Sequence, residues 1–169
     1  MLFKKFWQWY ERNYTFNVGF AAGLFLLQIF HLIWLFVEVV WGKFFGVPIF
    51  SLHDAPKAVM ILVDYTEIPA LFSISMIYVN ELRKKFGWKS LLFLIFINSQ
   101  WLHLFWITDE FVIDSFTHDS ELILPMWLAW IAILIDYLEV PVIIDTIKRF
   151  FASLKERDLK AALEELREE

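Results

Sequence analysis

Two histidines and four carboxylates stand within otherwise apolar stretches of this chain. They are His31, Asp64, Glu67, His103, Asp136 and Glu139. Two imidazoles with four carboxylates form the ligand inventory of a dinuclear carboxylate site, which four-helix bundles hold between facing helices. Oxygen-rich ligation with one imidazole per ion suits iron or manganese, and zinc also accepts these ligands. The residue types therefore predict a site for two divalent metal ions.

Further polar and aromatic side chains accompany these residues. Glu38 and Glu110 are predicted to complete the metal site, or to form an outer layer through which cations enter. A second set is predicted to surround the ligands: Gln28, Gln100, Tyr65, Tyr137, Trp34 and Trp106. Glutamines one helical turn from a histidine are suited to donating hydrogen bonds around a metal site rather than to binding the metal. The aromatic side chains are predicted to pack around the site, with a redox role for the tyrosines as the alternative.

The same residues define an internal repeat. A shift of 72 positions aligns Gln28 with Gln100 and His31 with His103. Written out, QIFHLIWLFVE recurs as QWLHLFWITDE, and DYTEIP recurs as DYLEVP. Apolar residues would match by chance in such a chain, but it has only 4 histidines, and two of them pair under the shift. We interpret the repeat as a gene duplication.

The elements that must position these residues are membrane helices. Hydrophobic residues make up 59% of the chain and aromatic residues 20%, whereas soluble domains contain about 45–50% apolar residues. A helix needs about 20 residues to cross a bilayer, and four stretches are long enough: 16–40, 58–79, 90–113 and 122–147. The predicted fold is an all-α integral membrane protein, a four-helix transmembrane bundle.

The repeat and the charges predict the arrangement of these helices. The predicted parts are an N-terminal segment (1–15), a first hairpin repeat (16–88), a second (89–150) and an amphipathic helical tail (151–169). Two hairpins of the same orientation are related by a pseudo-twofold axis along the membrane normal. Thirteen of the 15 Lys and Arg residues lie in the N-terminal segment, the central loop and the tail. Because positively charged loops stay in the cytoplasm, we expect a multi-pass protein of the cell membrane with both termini cytoplasmic.

Each copy also carries a proline two residues after the second glutamate of the repeat. Pro69 and Pro141 have no N–H group and crowd the carbonyl four residues back, which belongs to Tyr65 or Tyr137. The freed carbonyl could bind a metal, or the kink could widen a cavity. Ordinary helix packing of a proline is the alternative.

These observations favour a membrane metalloenzyme, a metal-dependent oxidoreductase that acts on oxygen, a quinol or a lipid-like substrate. Transport of divalent cations or protons, by a homo-oligomer, is the first alternative, although the almost wholly apolar stretch 68–79 offers no polar exit. A haem held by both histidines is the second, in which four carboxylates would lie unfavourably against a porphyrin. In the third alternative no metal binds, and carboxyl–histidine hydrogen bonds only fix the packing of the helices. The net charge of −5 argues against nucleic acid, and the absence of cysteine excludes thiolate sites.

Overall fold

The computed structural model describes residues 2–52, 54–109 and 126–168. All regular secondary structure in these ranges is helical. Four helices are long and apolar enough to cross a membrane, and we call them spans 1 to 4: Tyr14–Phe45, Ala58–Lys84, Trp88–Ile107 and Trp127–Leu159. The predicted all-helical class and the four apolar spans are confirmed.

Shorter helices make up these spans. A first helix, α1 (Leu2–Arg12), precedes span 1. Span 1 comprises α2 (Tyr14–Trp34), a π-helical segment (Leu35–Val40) and α3 (Trp41–Phe45). Span 2 lies in α4 (Asp54–Tyr65) and α5 (Glu67–Lys84), and span 3 is α6 (Trp88–Ile107). Span 4 lies in α7 (Met126–Tyr137) and α8 (Glu139–Glu168).

The four spans form a closed ring of neighbours. Helix α2 packs against α4 and α5 on one side and against α8 on the other, while α6 packs against α4, α5, α7 and α8. One apolar cluster lies toward α1 and includes Phe25, Ile74 and Ile97, each fully buried. A second, farther from α1, includes Trp34 and Trp106. His31 on α2 and His103 on α6 lie at the boundary between the residues that these helices contribute to the two clusters.

Spans 2 and 4 are each interrupted at a single residue. The backbone N–H groups of Thr66 and Leu138 donate to carbonyls only three residues back, at 2.9 Å in both cases. These tight turns stand three residues before Pro69 and Pro141. Because a proline removes an N–H and crowds the preceding turn, the interruptions occur where the sequence predicts kinks.

Two features of the helices go beyond the prediction. Helix α8 continues without interruption to Glu168, so the predicted tail extends the helix of span 4 instead of starting a new one. Span 1 turns π-helical over Leu35–Val40, and residues 108–109 are π-helical at the end of span 3. A π-turn holds an extra residue and so rotates the side chains that follow it, and such turns are frequent at functional sites.

Candidate metal centre

Interruption of spans 2 and 4 places the carboxylates at the ends of helices. Asp64 and Asp136 lie in the last turns of α4 and α7, and Glu67 and Glu139 are the first residues of α5 and α8. The histidines come from the buried faces of α2 and α6. None of the six predicted ligands is more than 2% exposed, so the bundle brings all of them into its interior.

The two histidines meet one aspartate from each hairpin. His31 Nε2 lies 3.2 Å from Asp64 Oδ1 and 3.8 Å from Asp136 Oδ2. His103 Nε2 lies 3.4 Å from the same Asp64 oxygen. The imidazole rings are 5.6 Å apart between centroids and nearly perpendicular, at 81°. Each of the four spans therefore contributes one side chain to a common point.

The donor atoms form two adjoining groups. One nitrogen or oxygen each from His31, His103 and Asp136 lie within 4.8 Å of one another, and so do oxygens of Glu67, Asp136 and Glu139. Asp136 belongs to both groups. We call the first the imidazole group and the second the glutamate group. The residue types predict one imidazole for each ion, whereas the structure brings both imidazoles into one group because they occupy matching positions on α2 and α6.

Most donor atoms of these residues have no hydrogen-bond partner in the part of the chain that the structure describes. In the six side chains, ten buried nitrogen and oxygen atoms are unpartnered, including both ring nitrogens of each histidine and both carboxylate oxygens of Asp64 and Glu67. Buried polar groups in folded proteins are nearly always paired. Apart from the histidine–aspartate contacts of 3.2–3.8 Å, these atoms lack partners among the described residues, which makes the cluster a candidate ligand site.

Comparison with protein-family models, curated proteins and solved structures finds no match to this chain. The geometry of the centre is the basis of the functional assignment.

Two glutamines hold the helix interruptions in place. Gln28 Nε2 donates to the Val63 carbonyl at 3.1 Å and to Thr66 Oγ1 at 3.2 Å. Gln100 Nε2 donates to the carbonyls of Ile135 and Asp136, at 3.1 and 3.3 Å. The glutamines thus bind the chain beside the predicted ligands and not their donor atoms. The Thr66 hydroxyl was not anticipated, because the repeat places Leu138 at the matching position.

The aromatic side chains pack around the centre. The Trp34 ring lies 5.4 Å from that of His31 at 58°, and Trp106 lies 5.4 Å from His103 at 57°. The tyrosines differ. The Tyr65 hydroxyl lies 2.6 Å from Thr108 Oγ1, whereas the Tyr137 hydroxyl donates to the Leu32 carbonyl at 3.4 Å.

Glu38 has partners of its own outside the two donor groups. Its Oε2 accepts hydrogen bonds from Trp34 Nε1 at 2.5 Å and from the Leu52 backbone N–H at 2.9 Å. The residue lies in the π-helical segment. Through Trp34 it contacts His31 indirectly, which places it around the centre. Glu110, its counterpart in the repeat, lies outside the described residues.

An ion-pair network ties the spans together near α1. Arg149 pairs with Glu81 and Asp145, and Lys89 also pairs with Asp145. Tyr78 donates to Asp145 at 3.0 Å. We call this part of the bundle the basic end. Its contacts join spans 2, 3 and 4, and the sequence reasoning did not anticipate the roles of Glu81 and Lys89.

Proposed function

We propose that this chain is a membrane-embedded dinuclear metal protein, with one ion in the imidazole group and one in the glutamate group. Asp136 would contribute to both sites, and Asp64 would bind beside the two histidines. We further propose that the centre is the active site of a metal-dependent oxidoreductase with a lipophilic substrate. The observation that carries the proposal is the set of ten unpartnered donor atoms in six buried side chains.

The energetics favour a bound cation over an unliganded cluster. A buried polar group without a partner costs about 1–3 kcal/mol. Ten such atoms would cost about 10–30 kcal/mol by this measure, which is comparable to or larger than the roughly 5–15 kcal/mol by which folded proteins are stable. Four carboxylates in a low-dielectric interior also repel one another when ionised. Cations satisfy the lone pairs and neutralise the charge at the same time.

The spacing and the chemistry of the donors fit first-row metals. Metal bonds to nitrogen or oxygen are about 2.0–2.2 Å long, so two donors of one ion are at most about 4.4 Å apart. The donor atoms of each group lie within 4.8 Å of one another, which is close to this limit. Imidazole suits iron and zinc, while carboxylates suit manganese. Iron or manganese in both sites is our proposal, with zinc as the alternative for the imidazole group.

We also propose that the bundle arose by duplication of one hairpin and that its pseudo-twofold axis passes through both ion sites. Matching contacts support this: the histidine–tryptophan distances are 5.4 Å in both copies, and each glutamine donates at 3.1 Å to the carbonyl 35 residues later. In the cell membrane, the basic end and both termini would face the cytoplasm, as the distribution of Lys and Arg favours.

The position of the centre supports a lipophilic substrate. The six proposed ligands lie within spans apolar enough to cross a membrane, so a substrate dissolved in the bilayer would approach the centre without crossing water. Iron and manganese both change oxidation state, which suits oxidation of a quinol or of a hydrocarbon by oxygen. The chain's own residues would exclude water and hold the ions in place.

The transport and haem alternatives have less support. For transport, an ion would have to continue toward the basic end, where the buried faces carry apolar residues such as Leu71, Ile74 and Ile143. For haem, a porphyrin would have to lie around the histidine nitrogens. Carboxylate oxygens of Asp64 and Asp136 occupy that space, 3.2–3.8 Å from His31 Nε2.

Elemental analysis of the purified protein tests the proposal. We expect about two equivalents of iron or manganese per chain in the wild type. The His31→Ala/His103→Ala variant should lose the ion of the imidazole group, and Glu67→Gln/Glu139→Gln the other. Glu38→Gln, a matched control outside both groups, should keep two. A wild-type protein without stoichiometric metal, after growth with each metal, would refute the metal centre.

A further inference from the structure

An apolar groove runs along the outer surface of the bundle between α2 and α8. Its volume is about 430 Å³. It is lined by Ile29, Leu32, Ile33, Phe36, Tyr137, Val140, Ile143, Ile144 and Ile147. Leu32, Tyr137 and Val140 each directly follow a predicted metal ligand in the sequence. One end of the groove therefore lies beside the centre.

The matching surface between α5 and α6 is closed by side-chain contacts. The Trp101 and Phe72 rings lie 6.1 Å apart and meet edge to face. Asn98 Nδ2 donates to Ser75 Oγ at 3.0 Å. The Tyr65 hydroxyl lies 2.6 Å from the Thr108 hydroxyl. The first two contacts bridge α5 and α6, and the third joins the end of α4 to the π-helical residues that follow α6.

None of these three contacts can form in the groove, because the residues at the matching positions are different. Under the 72-residue shift, Trp101 and Phe72 correspond to Ile29 and Ile144. The Asn98–Ser75 pair corresponds to Leu26 and Ile147, which have no polar side-chain atoms, and Thr108 corresponds to Phe36. The two copies thus keep the same ligands and differ in the side chains that close the surface.

We propose that this groove binds one acyl chain of a membrane phospholipid and brings part of that chain to Tyr137, beside the metal centre. From Tyr137 at the end of α7 to Ile147 in α8 the groove follows ten positions of span 4, or about 15 Å at the helical rise. A long hydrocarbon chain fits this extended shape better than a compact ring does.

The lining and the charges favour an acyl chain over a quinol. Tyr137 has the only polar side chain among the lining residues, and its hydroxyl already donates to the Leu32 carbonyl. A quinol ring would require hydrogen-bond partners for two oxygens. At the other end, Ile147 is followed by Lys148, which is exposed. Its ammonium group is suited to the phosphate of a lipid whose headgroup lies at the basic end.

This inference names the substrate class of the proposed oxidoreductase and rests on that function for its chemistry. Binding of the lipid's acyl chain in the groove needs no metal. Failure of one proposal can therefore be distinguished from failure of the other when lipid binding and metal content are measured on the same samples.

Photolabelling in lipid nanodiscs tests the groove. The probe is phosphatidylcholine with a diazirine in the middle of one acyl chain, and labelled residues are identified by peptide mass spectrometry. We expect labelling at Ile143, Ile144 and Tyr137 that saturates as the probe fraction rises. Lipid-facing positions outside the groove, such as Leu27, should instead be labelled in proportion to the probe.

Variants that exchange the two surfaces make the test specific. Ile29→Trp/Ile144→Phe copies the closed surface and should reduce groove labelling several-fold, with the melting temperature and metal content retained. Ile95→Trp adds similar bulk at an exposed position of α6 and should leave the groove labelling unchanged. The reverse exchange, Trp101→Ile/Phe72→Ile, should produce new labelling at Tyr65.

The outcomes separate the two proposals. Wild-type groove labelling that rises only in proportion to the probe, or that survives Ile29→Trp/Ile144→Phe, would overturn the inference. Saturable labelling of protein that contains no metal, before and after chelation, would retain the groove and reject the metal centre. Two metal equivalents without saturable labelling would retain the metal centre and reject the groove.

Discussion

Removal of metal should destabilise this protein in a way that identifies the two donor groups. The perturbation is a strong chelator, applied to the wild type and to Glu67→Gln/Glu139→Gln. In that variant the glutamate group loses two of its three carboxylates, while the imidazole group keeps all its donors. The expected signature is a smaller metal-dependent difference in melting temperature.

The magnitude follows from linkage between binding and folding. An ion present at 100 to 1,000 times its Kd stabilises the folded state by about 2.7–4.1 kcal/mol. For a chain of 169 residues, each kcal/mol shifts the melting temperature by about 2–4 °C. Each ion should therefore contribute about 5–16 °C. Chelation should lower the wild-type melting temperature by twice the amount seen in the variant.

Glu67→Gln/Glu139→Gln should lower the melting temperature when metal is present but not when metal is absent. Without metal, both carboxylate oxygens of Glu67 and one of Glu139 lack hydrogen-bond partners among the described residues, and amides remove the mutual repulsion of the two groups. The metal-free variant should melt no lower than the metal-free wild type. With metal present, the variant should melt lower, because it binds one ion instead of two.

The assay is thermal unfolding in detergent, followed by circular dichroism and by tryptophan fluorescence. Glu38→Gln is the matched control, because the Glu38 carboxylate is held by Trp34 and Leu52. Glu38→Gln should shift the melting temperatures with metal and after chelation equally, and so leave the metal-dependent difference intact. An unchanged wild-type melting temperature after chelation would refute the centre. The assignment of donors to the two groups would be refuted if Glu38→Gln lost the metal-dependent difference in melting temperature while Glu67→Gln/Glu139→Gln kept the full difference.

Two further predictions concern hydrogen bonds away from the donor atoms. Gln28→Ala removes the donor to the Val63 carbonyl and the Thr66 hydroxyl and should cost about 1–3 kcal/mol; a wild-type melting temperature would contradict this role. Glu11 pairs with Lys84 at 3.2 Å, and the hydrogen bond to Lys84 is the main reason that the Glu11 pKa is lowered. Its contribution to stability should be full above the ordinary carboxyl pKa and should disappear as the pH falls through the lowered pKa. Melting temperatures measured against pH should therefore differ between the wild type and Glu11→Gln at neutral pH and converge in acid, and curves that stay parallel would contradict the assignment.

The sequence by itself was enough to predict the helices and to single out the six polar side chains that the bundle buries together. Span length and apolar content are local properties, and a bilayer sets a fixed length for both. Pro69 and Pro141 indicated the interruptions, because the loss of an N–H acts on the neighbouring turn alone. The repeat singled out His31 and His103, since a polar residue repeated in apolar surroundings is hard to explain by chance.

Only the tertiary structure decided how these residues are grouped. Which donors meet depends on the rotation of each helix about its axis, and that rotation results from packing of all four spans. Packing brought both imidazoles together and placed Asp136 in both groups. The π-helical turn after Trp34 and the loop residue Leu52 gave Glu38 partners outside those groups. The open groove likewise depends on the packing of α2 against α8. Ile29 and Ile144 line one groove only because the fold places these two helices side by side.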